Sequence, residues 1–162
     1  MSLFAPVVDR ETLIEKTAAV RGSGERIILA NGCFDLFHAG HVRYLSGAKE
    51  LGGMLVVAIN SDRQVRRLKG DNRPYITAEE RAEIVSGFRF VDVVTIFDEP
   101  TVEEIIAAIR PDFHAKGTDY TAESVPERET VLRYGGRVAI VGDPKDHSST
   151  DLIAAVSENR GA

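Results

Sequence analysis

Two histidines, His38 and His41, enclose an alanine and a glycine within Gly32-Cys33-Phe34-Asp35-Leu36-Phe37-His38-Ala39-Gly40-His41. At the start of a helix, that spacing turns both imidazoles to one side. Gly40 lets a phosphate approach the backbone, because no Cβ stands in the way. The first N–H groups of a helix lack intrahelical partners and carry partial positive charge. Two imidazoles beside such an end make a cradle for a polyphosphate. His38 and His41 are therefore the expected phosphate ligands, with Gly40 between them. Solvated histidines or a zinc site are the bland uses of the same pair. Zinc needs further ligands, and a chain whose one cysteine is Cys33 supplies no obvious third. Cys33 itself reads as a small buried residue and not as a nucleophile.

A cradle of this kind has to be held at the edge of a sheet. Strands are predicted at Ile27–Ala30, Met54–Asn60, Val91–Ile96, Phe113–Lys116 and Arg137–Val141. Unbroken apolar runs such as Leu55-Val56-Val57-Ala58-Ile59 indicate strands buried on both faces. Helical patterns fill the gaps. One opens the chain from Asp9 to Arg21. A second carries Val42, Leu45, Ala48 and Leu51 on one face. Thr77 with Glu80, and Thr101 with Glu104, form two capping-box patterns. Another helix spans Glu127–Tyr134 before Gly135-Gly136, and the last begins near Ser148–Thr150. The order is a helix followed by five β-α units. It predicts an α/β fold: a Rossmann-like parallel five-stranded sheet with helices on both faces. Residues 1–162 read as a single domain, with 1–26 as helix and lead-in and 27–156 as the catalytic core.

Ligands of such sheets bind beyond the carboxyl ends of the strands. Polar residues stand at nearly every such end: Asn60-Ser61-Asp62, Gly117-Thr118-Asp119 and His147-Ser148-Ser149-Thr150. Neither GxGxxG nor GxxxxGK[ST] occurs, which disfavours a dinucleotide oxidoreductase and a P-loop kinase.

The net charge of −5 argues against a nucleic-acid partner, which needs a basic face. A small nucleotide needs only local positive charge. The longest apolar run, Met54 to Ile59, is far short of the roughly 20 residues of a membrane span. The N-terminus lacks the basic and apolar regions of a signal peptide. One cysteine precludes an intrachain disulfide framework and fits a reducing compartment. The expected location is cytoplasmic.

At this point the chain resembles the HxGH cytidylyltransferase-like nucleotidyltransferases. The likeness runs from about Ile27 to Val156. It rests on the histidine decapeptide, on Asn60-Ser61-Asp62, on Arg81 within Glu79-Glu80-Arg81, and on Ser148-Ser149-Thr150. A narrower resemblance lies in NSDRQVRRLKGDNRP, VDVVTIFDEPT and KGTDY. These look like the heptose-1-phosphate adenylyltransferases of bacterial surface-sugar synthesis, in the form not fused to a kinase. The absence of a basic residue soon after Ser148-Ser149-Thr150 points the same way. Thr118 departs from that branch, where glycine is common.

The resemblance implies adenylyl transfer from ATP to a heptose 1-phosphate. The alternatives are cytidylyl transfer to glycerol 3-phosphate or a related alcohol phosphate, and a regulatory nucleotide-binding domain. The resemblance also assigns roles. His38 and His41 become the catalytic pair, and Gly32, Cys33, Phe34, Gly40, His41, Lys116, Gly117, His147, Ser148, Ser149 and Thr150 form the nucleotide site. Asp35, Asn60, Asp62, Arg81 and Asp119 join the sugar-phosphate site. Lys69 either reaches the phosphates as a catalytic residue or belongs to a solvated basic loop. Ser149 and Thr150 offer hydroxyls to the phosphates or simply cap a helix. Asp35 either orients a histidine or helps hold Mg²⁺, the expected cofactor, which otherwise travels on ATP phosphates. His114 reads as structural. The expected partners are ATP, a sugar phosphate, a second copy of the chain in a homodimer, and a separate heptose kinase upstream.

Overall fold

The strand β3 (Met54–Asn60) is buried at every residue, as a strand with neighbours on both edges and helices on both faces must be. It sits inside a six-stranded, all-parallel sheet. The computed structural model describes residues 2–144 and 148–158. Before β3 come β1 (Val7–Val8), α1 (Arg10–Gly22), β2 (Ile27–Gly32) and α2 (Ala39–Lys49). After it come α3 (Asp62–Lys69), α4 (Ala78–Ser86), β4 (Val93–Phe97) and α5 (Glu103–Ile109). The chain continues through β5 (Phe113–Lys116), α6 (Arg128–Arg133), β6 (Arg137–Ile140) and α7 (Ser149–Glu158).

Alternation along the strands divides the core in two. Ile27 and Leu29 of β2, with Met54, Val56 and Ala58 of β3, meet Leu13 of α1, Ile105, Ile106 and Ile109 of α5, and Val131 of α6. Ile28 and Ala30, with Leu55, Val57 and Ile59, face the other way. They meet Leu45 and Ala48 of α2 and Ala82 and Val85 of α4. Each fully buried aliphatic side chain contributes about 1.5–3 kcal/mol.

Three expectations need correction. The sheet has six strands, not five: β1 pairs at the edge with β4, Val7 against Val94 and Val8 against Thr95. Two residues carry no readable period, and their partner is remote in sequence. Asp62–Lys69, where no helix was expected, forms α3, started by Ser61, whose Oγ accepts from Gln64 N at 3.2 Å. It buries only Gln64 and Val65, so an apolar stripe is almost absent. The Thr101–Glu104 capping box does not form. The helix α5 follows Val102 without a side-chain cap: Thr101 Oγ1 accepts from Glu103 N at 3.4 Å, and Glu104 pairs with Arg10 at 3.0 Å. The Thr77–Glu80 box does form at α4.

The strand order is β1-β4-β3-β2-β5-β6. From β2 the chain builds outward through β3 and β4, then returns to place β5 on the other side of β2. That reversal opens a crevice beyond the carboxyl ends of β2 and β5, the switch point of such a sheet.

Candidate active site

A cleft of about 650 Å³ occupies the crevice. His38, Gly40 and His41 line it at the start of α2. His38 is the N-cap, with extended backbone. Its Nδ1 accepts from Gly40 N at 3.1 Å, and His41 Nδ1 accepts from His38 N at 3.3 Å. The two rings lie 3.9 Å apart, tilted by 25°. A neutral imidazole that accepts at Nδ1 carries its proton on Nε2. Each ring therefore keeps an Nε2–H donor. Burial, then the nearby His38 and Lys69, lower the pKa of His41 to about 3. His41 is thus a neutral donor across the physiological range. The backbone of the turn is partly spent: Gly40 N–H donates to His38, and His41 N–H donates to His38 O at 3.0 Å. The His41 Nε2–H, more than these amides, remains for a ligand.

The turn leading to the histidines is strained. Phe34 has φ of 50°, a region that costs a non-glycine residue about 1–3 kcal/mol. Its ring is buried and packs against Phe37 and His41, with centroids 5.9 and 5.2 Å away. Gly32 precedes it, and a Cβ there would meet the Phe34 ring at 3.2 Å. Cys33 lines the cleft half-buried. Burial raises its thiol pKa, which suits a packing role.

Across the crevice, Lys116 ends β5 and is buried. Its ammonium lies 4.6 Å from the Tyr120 ring centroid, and burial lowers its pKa. Gly117 and Asp119 follow it along the cleft wall. Thr118 donates to Asp143 O at 2.6 Å, tying the loop after β5 to the loop after β6. Lys69, exposed at the end of α3, lines the opposite rim. Ser148, Ser149 and Thr150 close one end at the start of α7. Ser148 Oγ accepts from Asp151 N at 3.1 Å. Ser149 donates to Leu36 O at 3.3 Å, fastening α7 to the turn after β2. Thr150 is exposed. His147 lies outside the described residues.

Several residues expected at the sugar phosphate are placed otherwise. Asp35 lines the cleft but neither touches a histidine nor offers a free carboxylate. Its Oδ2 receives Arg73 Nε at 2.5 Å. Its Oδ1 receives Tyr75 N at 2.8 Å and Ile76 N at 3.2 Å. A divalent cation would have to displace Arg73 and two backbone amides from a buried carboxylate, so Asp35 does not fit a Mg²⁺ ligand. Arg81 is wholly buried. It donates to Cys33 O at 2.5 Å, Asn60 O at 2.9 Å, Ile76 O at 3.0 Å and Asp62 Oδ1 at 2.7 Å. Arg81 and Asp62 thus brace the ends of β2 and β3 from behind the cleft. Asn60 does line the cleft, nearly buried, with Oδ1 3.8 Å from Cys33 Sγ.

Sequence reasoning missed Tyr44 and Glu127. Tyr44 accepts from Asn31 N at 3.2 Å and donates to Ala115 O at 2.7 Å, joining β2 to β5 beneath the cleft. Its position three residues beyond His41 on the same helix was the available signal. Beside it, buried His114 meets Asn31 Oδ1 at 2.8 Å, and burial lowers its pKa to about 3. Glu127, just before α6, lines the cleft and is buried. Nothing in its local sequence marked it.

Comparison with known proteins agrees with this geometry. Residues 29–155 match the family model described as cytidylyltransferase-like. The chain is 48% identical over 152 residues to a protein of Pelobacter propionicus named bifunctional protein HldE, covering 94% of this chain and 31% of that one. A Koribacter versatilis protein of the same name is 48% identical over 149 residues, with 92% and 31% covered. The chain thus spans about a third of the length of these relatives. Among solved structures, a lipopolysaccharide core biosynthesis protein from Thermoplasma volcanium shares the fold. Its TM-score is 0.65 at 24% identity, covering 75% of this chain and all of that one. No described helix is long and apolar enough to cross a membrane. With the sheet order, the histidine cradle at its switch point and this match in hand, the chain belongs to the cytidylyltransferase-like family.

Proposed function

We propose that this chain transfers the adenylyl group of ATP to a heptose 1-phosphate, giving an ADP-heptose and pyrophosphate. The observation that carries the reading is the pair of Nε2–H donors that the capped turn of α2 holds at the cleft. The attacking group is a sugar-phosphate oxygen, already anionic at neutral pH, so no general base is needed. It adds in line to the α-phosphorus of ATP, and the bond to the bridging oxygen of pyrophosphate breaks. Catalysis then reduces to positioning and charge stabilisation. His38 and His41 donate to phosphoryl oxygens as charge moves toward pyrophosphate. Lys69 and Lys116 supply positive charge from opposite sides. Magnesium, in this reading, arrives on the ATP phosphates, since Asp35 is spent on Arg73.

The choice of ATP and heptose is supported by NSDRQVRRLKGDNRP, VDVVTIFDEPT and KGTDY, and by the relatives of Pelobacter and Koribacter. The experiment offers ATP, CTP and GTP with heptose 1-phosphate, glycerol 3-phosphate and phosphocholine, and measures kcat/KM from pyrophosphate release. ATP with heptose 1-phosphate leads by a wide margin. A lead for CTP with glycerol 3-phosphate overturns the substrate assignment and leaves the transfer chemistry standing. No turnover with any pair overturns both.

A further inference from the structure

Four carboxylates line the cleft among the described residues: Asp35, Asp119, Glu127 and Asp143. Three are engaged. Asp35 is held by Arg73 and two backbone amides, Asp143 pairs with Arg43 at 3.1 Å, and Asp119 has a partner of its own. Glu127 differs. It is 7% exposed, it makes no side-chain cap to α6, and its Oε2 is sealed from solvent without a hydrogen-bond partner. Leaving a buried acceptor unpaired costs about 1–3 kcal/mol, and more for a charged group. Lys116 is close enough to feel the carboxylate of Glu127, yet no ion pair within 4.0 Å joins them. The lysine instead lies over the Tyr120 ring.

A carboxylate in a phosphate-binding cleft repels the anionic end of a ligand. It is tolerated only where the ligand presents hydrogen-bond donors. The cleft therefore divides: imidazole donors and cations at the start of α2 for phosphoryl oxygens, and an unpartnered acceptor before α6 for hydroxyls. We propose that Glu127 is a specificity-determining residue that accepts hydrogen bonds from a vicinal diol of the bound substrate. The proposal rests on the transfer reading above and deepens it. Both the ribose of ATP and the ring of a sugar phosphate carry such a diol. The terminal torsion of glutamate is broad, so a partial rotation turns the carboxylate edge toward a ligand seated in the cleft that Glu127 lines. A bond to an ionised acceptor is about twice as strong as a neutral one.

The test compares the wild-type chain with Glu127→Gln and Glu127→Asp. Pyrophosphate release gives kcat and KM for ATP and for heptose 1-phosphate. Calorimetric titration gives Kd for ATP, 2′-deoxy-ATP, 3′-deoxy-ATP and heptose 1-phosphate. Glu127→Gln is expected to raise KM and Kd for one of the two substrates by about 10-fold or more, the scale of a charge-assisted hydrogen bond, with kcat changed less than about threefold. A response in the ATP arm identifies the ribose, and then a deoxy analogue binds wild-type protein weakly but loses nothing further on the variant. A response in the heptose arm identifies the acceptor sugar. Unchanged KM and Kd for both substrates in a folded Glu127→Gln protein overturn the proposal. If that variant does not fold, wild-type affinities for both ligands in Glu127→Asp overturn it. If the wild-type chain turns over no pair, the transfer reading fails while the titrations still decide Glu127. If neither ligand binds the wild-type chain, both readings fail.

Discussion

The helices α2 and α4 start in the same way and for different ends. At α4, Thr77 Oγ1 accepts from Glu80 N at 3.3 Å, and the Glu80 carboxylate accepts from Thr77 N at 3.3 Å. At α2, His38 takes the place of the threonine and His41 that of the glutamate. Hydroxyl and carboxylate are the usual capping groups, and they end in the cap. An imidazole has a second nitrogen. When Nδ1 caps the helix, Nε2 remains on the far side of the ring as a fixed donor. The α4 box stabilises a helix. The α2 box stabilises a helix and sets two donors at the mouth of the cleft.

The sharpest way to break this comparison is to remove the imidazoles. His38→Ala and His41→Ala are each expected to lower kcat by about 10²–10³, the effect of losing a transition-state donor, while urea midpoints fall only by the value of a cap. His38→Asn separates the two roles. Asparagine caps well but brings no donor to the Nε2 position, so stability is regained and the rate is not. Recovery of the rate in His38→Asn would reduce the histidine pair to a cap.

Acid titration is the next test. His41 and His114 have folded-state pKa values of about 3, below the ordinary value of 6.5. Between those limits the unfolded chain binds more protons than the folded one. Stability is therefore full above about pH 6.5 and falls as pH drops toward about 3. Urea midpoints taken from pH 7 down to pH 4 should decline, and His114→Gln should decline less. Equal slopes in the two proteins would mean that His114 is charged in the folded state.

Thr77→Ala tests the other half of the comparison. Loss of that cap is expected to cost about 1 kcal/mol and to leave kcat unchanged, because Thr77 is absent from the cleft. A large fall in rate would mean that α4 transmits to the site through Arg81. The smallest effect lies at the far end of the sheet. Arg110 closes α5 with φ of 43°. Arg110→Gly is expected to stabilise the chain by up to about 1 kcal/mol, seen as a raised urea midpoint with unchanged turnover.

The strand β3 was legible to the residue, because a continuous apolar run bounded by polar ends has one stable use in such a sheet; β5 has the expected bounds although Phe113-His114-Ala115-Lys116 is no apolar run. The histidine pair was legible from its spacing. What failed did so for physical reasons. The strand β1 is too short to show a period and exists only because β4 offers it an edge. The helix α3 buries almost nothing, so no apolar stripe announced it. Thr101 and Glu104 match the capping pattern as well as Thr77 and Glu80 do, but Thr101 meets Glu103 instead and Glu104 pairs with the remote Arg10. Arg81 and Asp62 were expected to contact substrate, yet they satisfy each other and the strand ends behind the cleft.

By itself the sequence determined the order of elements, the two apolar faces of the sheet and the place of the histidines at a strand end. Those features are local: periodicity, capping residues and turn chemistry act over a few positions. Only the tertiary structure decided which polar groups were spent and which remained for a ligand. Asp35 was consumed by Arg73, which lies 38 positions away, and Ser149 by a carbonyl 113 positions away. Glu127 was left unpaired at the cleft. Whether a carboxylate is free depends on the donors that the fold brings to it, and those donors come from remote parts of the chain.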